Sequence, residues 1–234
     1  MTTFAVPEWT ESVQVDSSPF EQPAYLRRCH NIAKALEYAL PWGGIETILD
    51  LGCGFGAVGG HFVNNGLKVS FVDGRRENVE ELRSRGLPAI LHDAQTPLLP
   101  EYRVDLILCM GLLYHSEDPQ RILMNCADIA PIIAVETLCM DQEDCYLLSF
   151  EEDTKRHDQS LDGGCCRFSP SWLERALRRA GYNRIEDVPN VSLVLGDGYH
   201  QGFIYDWEVR NSGESYRDGY GLRKLMIGYR DDAY

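Results

Sequence analysis

The chain has 234 residues, 44% of them hydrophobic and 25% charged, which is typical of one well-packed globular domain. Its formal net charge of −14 disfavours partners that are themselves negatively charged, namely nucleic acids and anionic membranes. No apolar run approaches the ~20 residues of a membrane span, and residues 1–8 lack the basic and apolar regions of a signal peptide. We therefore expect a cytoplasmic protein that does not bind a membrane.

The N-terminal part of the chain divides into an arm and the start of a folded domain. Residues 1–22 are rich in turn-forming residues, so we expect a flexible arm or lid there and a single domain over residues 23–234. Apolar side chains recur near a period of 3.6 from Pro23 to Leu40, and Pro41 follows. This pattern predicts the first helix.

The next part of the chain alternates between predicted strands and helices. The segment 104–110 is almost entirely apolar, as expected for a strand that is covered on both faces. Alternation of this kind indicates a doubly wound parallel sheet, whose ligands bind at the carboxyl ends of the strands. The predicted strands are 46–51, 68–73, 88–92, 104–110 and 131–137, and the predicted helices are 57–65, 76–85 and 119–129, the last with Asp118 as N-cap.

Beyond residue 138 the alternation stops. Residues 139–168 are acidic and show no clear period, and a connection of this length is uncommon unless it is functional. We expect a substrate-side insertion there. A helix then begins after the capping Ser169 and ends at Gly181, and two late strands are predicted at 202–210 and 222–230.

A glycine-rich segment, ILDLGCGFG at residues 48–56, follows the first predicted strand. Its three alternating glycines predict a tight turn before a helix, where a ligand can lie against bare backbone. Residues 54–59 also match the dinucleotide pattern G-x-G-x-x-G. Asp50 argues against a dinucleotide, because a carboxylate beside the turn repels a pyrophosphate. It suits S-adenosylmethionine (SAM), which carries a cationic sulfonium and an ammonium.

Two further acids follow later strands. Asp73 ends the second predicted strand, about 20 residues after the glycines, where an acid hydrogen-bonds a ribose diol. Both NAD and SAM carry such a ribose, so Asp73 does not separate them. Asp93 follows the third strand, where it is placed either to accept from an adenine amine or to cap a turn.

These features together resemble the class I SAM-dependent methyltransferases. The matching residues are Leu49–Gly56, Asp73, Asp93 and Val104–His115, all within roughly residues 45–140. The resemblance implies SAM as the cofactor and a single Rossmann-like, mostly parallel seven-stranded sheet that ends in an antiparallel hairpin. It implies cofactor contacts from Asp50, Gly52, Cys53, Gly54, Gly56, Asp73, Gly74, Asp93, Ala94, Met110, Gly111 and Leu112.

Tyr25 and Arg28, in the first helix, are further candidates for cofactor contact. A guanidinium suits the cofactor's carboxylate. A salt bridge on the helix surface explains Arg28 equally well.

The segment 111–119 indicates which groups of methyltransferases the chain resembles most. It is similar to methyltransferases that modify wobble uridine in tRNA, and to methyltransferases found with sugar and natural-product pathways. Later patterns at 158–161, 166–171, 205–207 and 217–223 fit the second group better. We therefore expect methylation of oxygen or nitrogen on a small secondary metabolite or sugar.

His115 is the best candidate for a catalytic base, because its neutral imidazole is available near physiological pH. Tyr114 is placed to pack on the cofactor or to orient the nucleophile. The alternative for His115 is a turn residue that hydrogen-bonds backbone. Substrate contacts are predicted from His157, Gln159, Arg167, Tyr199, His200, Tyr205 and Trp207, although Arg167 equally suits a pair with Glu151 or Glu152.

Other functions remain open at this point. They are tRNA methylation, NAD-dependent oxidation, and a non-catalytic methyltransferase-like subunit. We expect no metal site, because the eight cysteines contain no C-x-x-C pair and match no zinc pattern. Apolar residues near Phe4 and Trp9 suggest either a lid or the contact of a homodimer.

Overall fold

The computed structural model describes residues 18–140, 142–156, 158–188 and 222–231, without the side chain of Ala24. Within these residues, short 3-10 turns lie at Pro19–Glu21, Pro100–Tyr102 and Leu113–His115. The helices are α1 (Pro23–Ala39), α2 (Ala57–Asn64), α3 (Arg76–Ser84), α4 (Pro119–Ala127) and α5 (Pro170–Ala180). The strands are β1 (Thr47–Leu51), β2 (Lys68–Asp73), β3 (Ala89–Leu91), β4 (Leu106–Met110), β5 (Ile132–Leu138), β6 (Leu147–Glu151), β7 (Gly164–Phe168), β8 (Arg184–Asp187) and β9 (Arg223–Tyr229).

Seven strands form one sheet in the order β3-β2-β1-β4-β5-β9-β8. Strands β1 to β5 are parallel, and β9 is antiparallel to both of its neighbours. The chain moves outward from β1 through β2 to β3 and then returns to β4 on the other side of β1, so the sheet is doubly wound. The predicted fold class is therefore confirmed. None of the helices in the described ranges is long and apolar enough to cross a membrane.

The sheet separates two hydrophobic cores because successive side chains of a strand point to opposite faces. Ile48 and Leu106 pack in the core that α1, α2 and α3 cover, whereas Leu49 and Ile107 pack in the core that α4 and α5 cover. All four side chains are fully buried. Burial on both faces explains why the central strands are continuous apolar runs in the sequence.

Capping residues end the helices where the sequence indicates. The Asp118 side chain accepts from the Arg121 N–H, and the Ser169 side chain accepts from the Trp172 N–H. Gly181 takes a left-handed conformation with φ of +105° at the end of α5. Each predicted helix and strand that falls within the described ranges lies within two residues of its observed bounds.

Two features differ from the expectations. Residues 139–168 were expected to lack regular structure, but β6 and β7 pair as an antiparallel hairpin in which Leu147 faces Phe168. Strand β8 was not predicted and pairs with β9. Both β6 and β8 are largely exposed, so neither shows the alternation that marks a half-buried strand. The predicted strand 202–210 and arm residues 1–17 lie outside the described residues.

Helix α2 approaches β1 closely through a glycine. The Gly59 N–H donates to the Asp50 carboxylate at 2.9 Å. A Cβ added at Gly59 would lie 2.6 Å from Asp50 Oδ2 and 2.8 Å from Phe71 Cε1. Both neighbours are buried, so neither has room to move away.

We expect Gly59→Ala to destabilise the protein by about 1–3 kcal/mol, because the added methyl group overpacks the α2–β1 contact. This loss opposes the gain of about 1 kcal/mol that alanine normally brings to a helix. Gly43→Ala is the matched control, since a Cβ there meets nothing within 4 Å. Urea unfolding measures both variants. Equal stability of the two variants would show that the contact tolerates a methyl group.

Asp50 also gives the stability of the ligand-free protein a pH dependence. Burial raises the pKa of Asp50 to about 7, and the nearby Asp73 carboxylate adds to the shift. In the unfolded chain the pKa is about 3.9. Between pH 4 and 7 the folded state therefore holds a proton that the unfolded state has lost, so this group lowers the free energy of unfolding as pH rises.

Asp50→Asn removes this titration and keeps an oxygen that can accept from Gly59. Wild type should lose stability relative to the variant between pH 5 and pH 8, by on the order of 2 kcal/mol. Urea unfolding of both proteins at the two pH values measures the difference. A difference in the free energy of unfolding that is independent of pH would contradict the raised pKa of Asp50.

Candidate active site

A cavity of about 510 Å³ lies at the carboxyl ends of the parallel strands. Its walls include Leu51, Asp73 and Met110, which are the last residues of β1, β2 and β4. This is the edge at which a doubly wound sheet binds ligands. The predicted site residues that line it are Tyr25, Arg28, Gly52, Asp73, Gly74, Asp93, Ala94, Met110, Gly111, Leu112, Tyr114, His115, Gln159 and Arg167.

Four predicted cofactor residues, Asp50, Cys53, Gly54 and Gly56, are not in the cavity wall. Asp50 instead accepts from the Gly59 N–H of α2. Its carboxylate is therefore not in the cavity wall, contrary to the expectation that it would lie beside the ligand. Phe20 covers Gly54, where a Cβ would lie 2.9 Å from its ring. The predicted substrate residues His157, Tyr199, His200, Tyr205 and Trp207 lie outside the described residues.

Asp73, an acid in the cavity wall, accepts three hydrogen bonds. Its Oδ2 accepts from the Gly54 N–H at 2.9 Å, and its Oδ1 accepts from the Arg75 N–H at 2.8 Å and from the Asn78 amide at 3.1 Å. Burial raises its pKa above the ordinary value. These bonds hold the carboxylate in place at the end of β2.

Asn78 is a site residue that the sequence analysis missed. It is buried and lines the cavity, and its Oδ1 has no hydrogen-bond partner among the described residues. A ribose diol supplies hydroxyl donors, for which this oxygen and the Asp73 carboxylate are acceptors. The wall is also shaped by Gly52, where a Cβ would lie 2.8 Å from the Leu112 side chain. The residues present therefore fit the nucleoside half of SAM.

A buried ionic cluster forms another part of the wall. Arg28 Nε donates to Glu136 Oε1 at 3.3 Å, and Arg223 donates to both Glu136 oxygens at 2.9 and 3.0 Å. Arg223 also donates to the Tyr114 hydroxyl at 3.1 Å. All three charged side chains are at least 95% buried. Arg28 thus forms a salt bridge, but inside the domain rather than on the helix surface.

Within the described residues, the cluster joins the guanidinium groups of Arg28 and Arg223 to the Glu136 carboxylate. A guanidinium group at a cavity wall suits a carboxylate of a ligand. Glu136 was not predicted as a site residue, although one feature of the sequence could have indicated it. It is a lone acid within the apolar segment 131–138, and a buried acid needs partners.

His115 and Glu152, which also line the cavity, contact each other through a short hydrogen bond. The distance from His115 Nδ1 to Glu152 Oε2 is 2.6 Å, and the same oxygen accepts from the Ser160 N–H at 3.0 Å. Arg167 NH2 lies 3.9 Å from the other Glu152 oxygen, so the predicted alternative pair of Arg167 is present with Glu152.

The contact sets the ionisation of both groups. Burial lowers the pKa of His115 below 6.5, and Glu152 only partly offsets this shift, so the ring is neutral at pH 7. Burial opposes the ionisation of Glu152, but hydrogen bonds from His115 and Ser160 together hold its pKa below the ordinary value. A neutral imidazole beside a carboxylate is suited to accept a proton.

Comparisons with solved structures support the fold. The N-terminal domain of EvdMO1, solved with S-adenosylhomocysteine (SAH) bound, superposes with a TM-score of 0.60 at 20% identity, covering 96% of this chain and 92% of that one. The 1,6-didemethyltoxoflavin N1-methyltransferase of Burkholderia thailandensis superposes with a TM-score of 0.54 at 18% identity, covering 94% of each chain.

Sequence comparison gives a shorter match. A ubiquinone biosynthesis O-methyltransferase of Coxiella burnetii is 31% identical over 88 residues, which are 35% of this chain and 38% of that protein. The chain therefore matches well under half the length of this curated relative. The model of the methyltransferase domain family, in contrast, matches residues 22–187, more than half of the 234 residues. The chain belongs to this family of class I, SAM-dependent methyltransferases.

Proposed function

We propose that this protein transfers a methyl group from SAM to an oxygen or nitrogen atom of a small-molecule acceptor, such as a secondary metabolite or a sugar. The observation that carries the proposal is the position of a neutral, partly buried histidine, His115, in the same cavity as Asp73 and Gly52. Direct displacement at carbon needs the acceptor and its base to be held together, and one cavity provides both.

The cofactor would be held by residues at the carboxyl ends of β2, β3 and β4 and by side chains of α1 and α3. Asp73 and Asn78 would accept from the ribose, and backbone near Met110 and Leu112 would contact the methionine part. Arg28, whose guanidinium group lies in the cavity wall, would donate to the carboxylate. Asp93, Ala94, Gly74 and Tyr25 line the remaining wall and would surround the adenine and the amino acid.

When bound, SAM supplies the methyl group and leaves as neutral SAH. His115 Nε2 would accept the proton that the acceptor oxygen or nitrogen releases as it forms its new bond to carbon. Tyr114 would help to place the acceptor, because its ring packs 4.1 Å from the His115 ring, centroid to centroid. The neutral state of His115 at pH 7 is the state that this role requires.

Several observations favour a small acceptor. The net charge of −14 opposes a nucleic acid. Glu152 and residues 158–162 line one side of the cavity, and Leu161 packs directly on Gly74. The named relatives in ubiquinone and toxoflavin chemistry also methylate small molecules, and we extend that class to this chain.

Simple binding, activity and mass measurements distinguish the remaining hypotheses. A tRNA-modifying enzyme would bind tRNA with an affinity that falls steeply as salt is raised. A non-catalytic subunit would bind SAH but methylate none of the acceptors. A homodimer, suggested by the apolar arm, would be seen as twice the monomer mass in solution.

Replacing Asp73 by Asn should weaken SAH binding about 10- to 100-fold, because a charge-assisted hydrogen bond is lost. Calorimetric titration measures the affinity. Asp128→Asn is the matched control, since Asp128 is exposed at the C-terminal end of α4, and its affinity should equal that of wild type. A parallel titration with NADH should show no binding. NADH binding without SAH binding would overturn the cofactor assignment.

Replacing His115 by Asn should slow methyl transfer by about 10²- to 10⁴-fold, because general-base catalysis is lost. SAH affinity should change less than twofold. The rates are measured in single-turnover assays with hydroxylated and amine acceptors. His61→Asn is the matched control, because His61 pairs with Glu37 on α1 and does not line the cavity. Unchanged rates for the His115 variant would exclude it as the base without excluding methyl transfer.

A further inference from the structure

We propose that Glu152 is a positioning residue that fixes the orientation of the His115 ring, and that Arg75 is a second positioning residue that fixes the segment carrying Glu152. We name this segment, residues 152–156 and 158–163, the strap. The inference deepens the proposed function and rests on it, because it concerns the proposed base. It assigns roles to two side chains outside the glycine motif and the strand-end acids.

Glu152 selects one ring nitrogen of His115. An ionised carboxylate only accepts hydrogen bonds, so the 2.6 Å contact requires the proton of the neutral ring to be on Nδ1. Nε2 is then left as the unprotonated nitrogen, and no hydrogen bond to it occurs within the described residues. His115 has the geometry of a base whose tautomer is set by a neighbouring acid.

Arg75 holds the strap at its other side. Its NH2 group donates to the carbonyl oxygens of Thr154, Gln159 and Ser160 at 3.3, 3.1 and 2.9 Å. The backbone N–H of Arg75 donates to Asp73. One residue therefore contacts both the acid proposed to bind the ribose and the strap.

Two further contacts fix the strap at the cofactor end of the cavity. A Cβ added at Gly74 would lie 2.2 Å from Leu161 Cδ1, so this leucine needs a glycine beneath it. Gln95 donates to Asp162 at 3.2 Å. The strap then carries Glu152 back to His115, while Ser160 donates to Glu152 within the strap itself. Displacement of the strap would therefore move the acid that holds the base.

The charges that face His115 come from three elements. Glu152, at the start of the strap, favours the protonated ring, whereas Arg167 on β7 and Arg223 on β9 disfavour it. Removing the charge of Glu152 removes the carboxylate that favours the protonated ring, whereas both arginines remain. The pKa of His115 should then fall further below its wild-type value.

The first test is a nitrogen-detected NMR titration of His115, assigned with His115→Asn. In wild type the neutral ring should carry its proton on Nδ1. In Glu152→Gln the pKa of His115 should fall by about one unit or more. Glu151→Gln is the matched control, because Glu151 is the exposed chain neighbour and should leave the titration unchanged. A wild-type ring protonated on Nε2, or an equal pKa in both variants, would overturn the proposal.

The second test concerns the hydrogen bonds between Arg75 and the strap. Arg75→Lys keeps the positive charge but cannot span three carbonyls, so the pKa of His115 should shift in the same direction as in Glu152→Gln. The acidic limb of the pH–rate profile should shift with it. Arg76→Lys is the control, since Arg76 is exposed on α3. An unchanged titration in Arg75→Lys would remove Arg75 from the proposal.

The experiments distinguish a failure of the proposed function from a failure of the positioning roles of Glu152 and Arg75. The NMR readout needs no acceptor, so it tests the positioning roles even if no substrate is methylated. If Glu152 sets the tautomer but SAH does not bind, the proposed function fails and the contact is structural. If SAH binds and methyl transfer occurs while the titration of His115 is insensitive to Glu152, only the positioning proposal fails.

Discussion

The turn between β1 and α2 is held by two buried carboxylates, and the geometry of the cavity depends on this arrangement. Asp73 accepts from the Gly54 N–H on one side, and Asp50 accepts from the Gly59 N–H on the other. A buried acid is costly unless its oxygens are hydrogen-bonded, so both acids and the backbone of the turn must take up one mutual geometry. The edge of the cavity follows from that geometry.

The fold was largely predictable because its signals are local and repeated. Continuous apolar strands, the capping residues Asp118 and Ser169 and the terminal glycine Gly181 each mark one element, and each agrees with the structure. Strands β6 and β8 were missed for a physical reason. They bury little surface, so no selection for alternating apolar residues has marked them.

The site was predictable only where the residues lie next to a strand end. Asp73 is the last residue of β2, His115 lies in the 3-10 turn that comes after β4, and both line the cavity as expected. Glu136 and Glu152 were not identified as site residues, because their roles depend on partners far away in the chain. Glu136, for example, meets arginines that are 108 and 87 residues away. Spacing in one sequence carries no record of such contacts.

Net charge was a poor guide to local electrostatics. A chain with a net charge of −14 places Arg28 and Arg223 side by side around one acid at the cavity wall. The acidic excess is spread over the surface, where water screens it, whereas the arginines act at short range in a buried setting. The overall charge therefore bears on macromolecular partners, and the local charge bears on the ligand.

The hairpin of β6 and β7 leaves and re-enters the domain at a single place. The Met140 N–H donates to the Phe168 carbonyl at 2.9 Å, next to the bridge between Cys139 and Phe168. A segment whose two ends meet can change in length and sequence while the strands beneath it keep their register. Under the proposed function, the segment between these two ends would face the acceptor, and any exchange of it must preserve its contacts with Arg75, Gly74 and His115. Grafting hairpins between relatives is the corresponding route to new acceptor specificities.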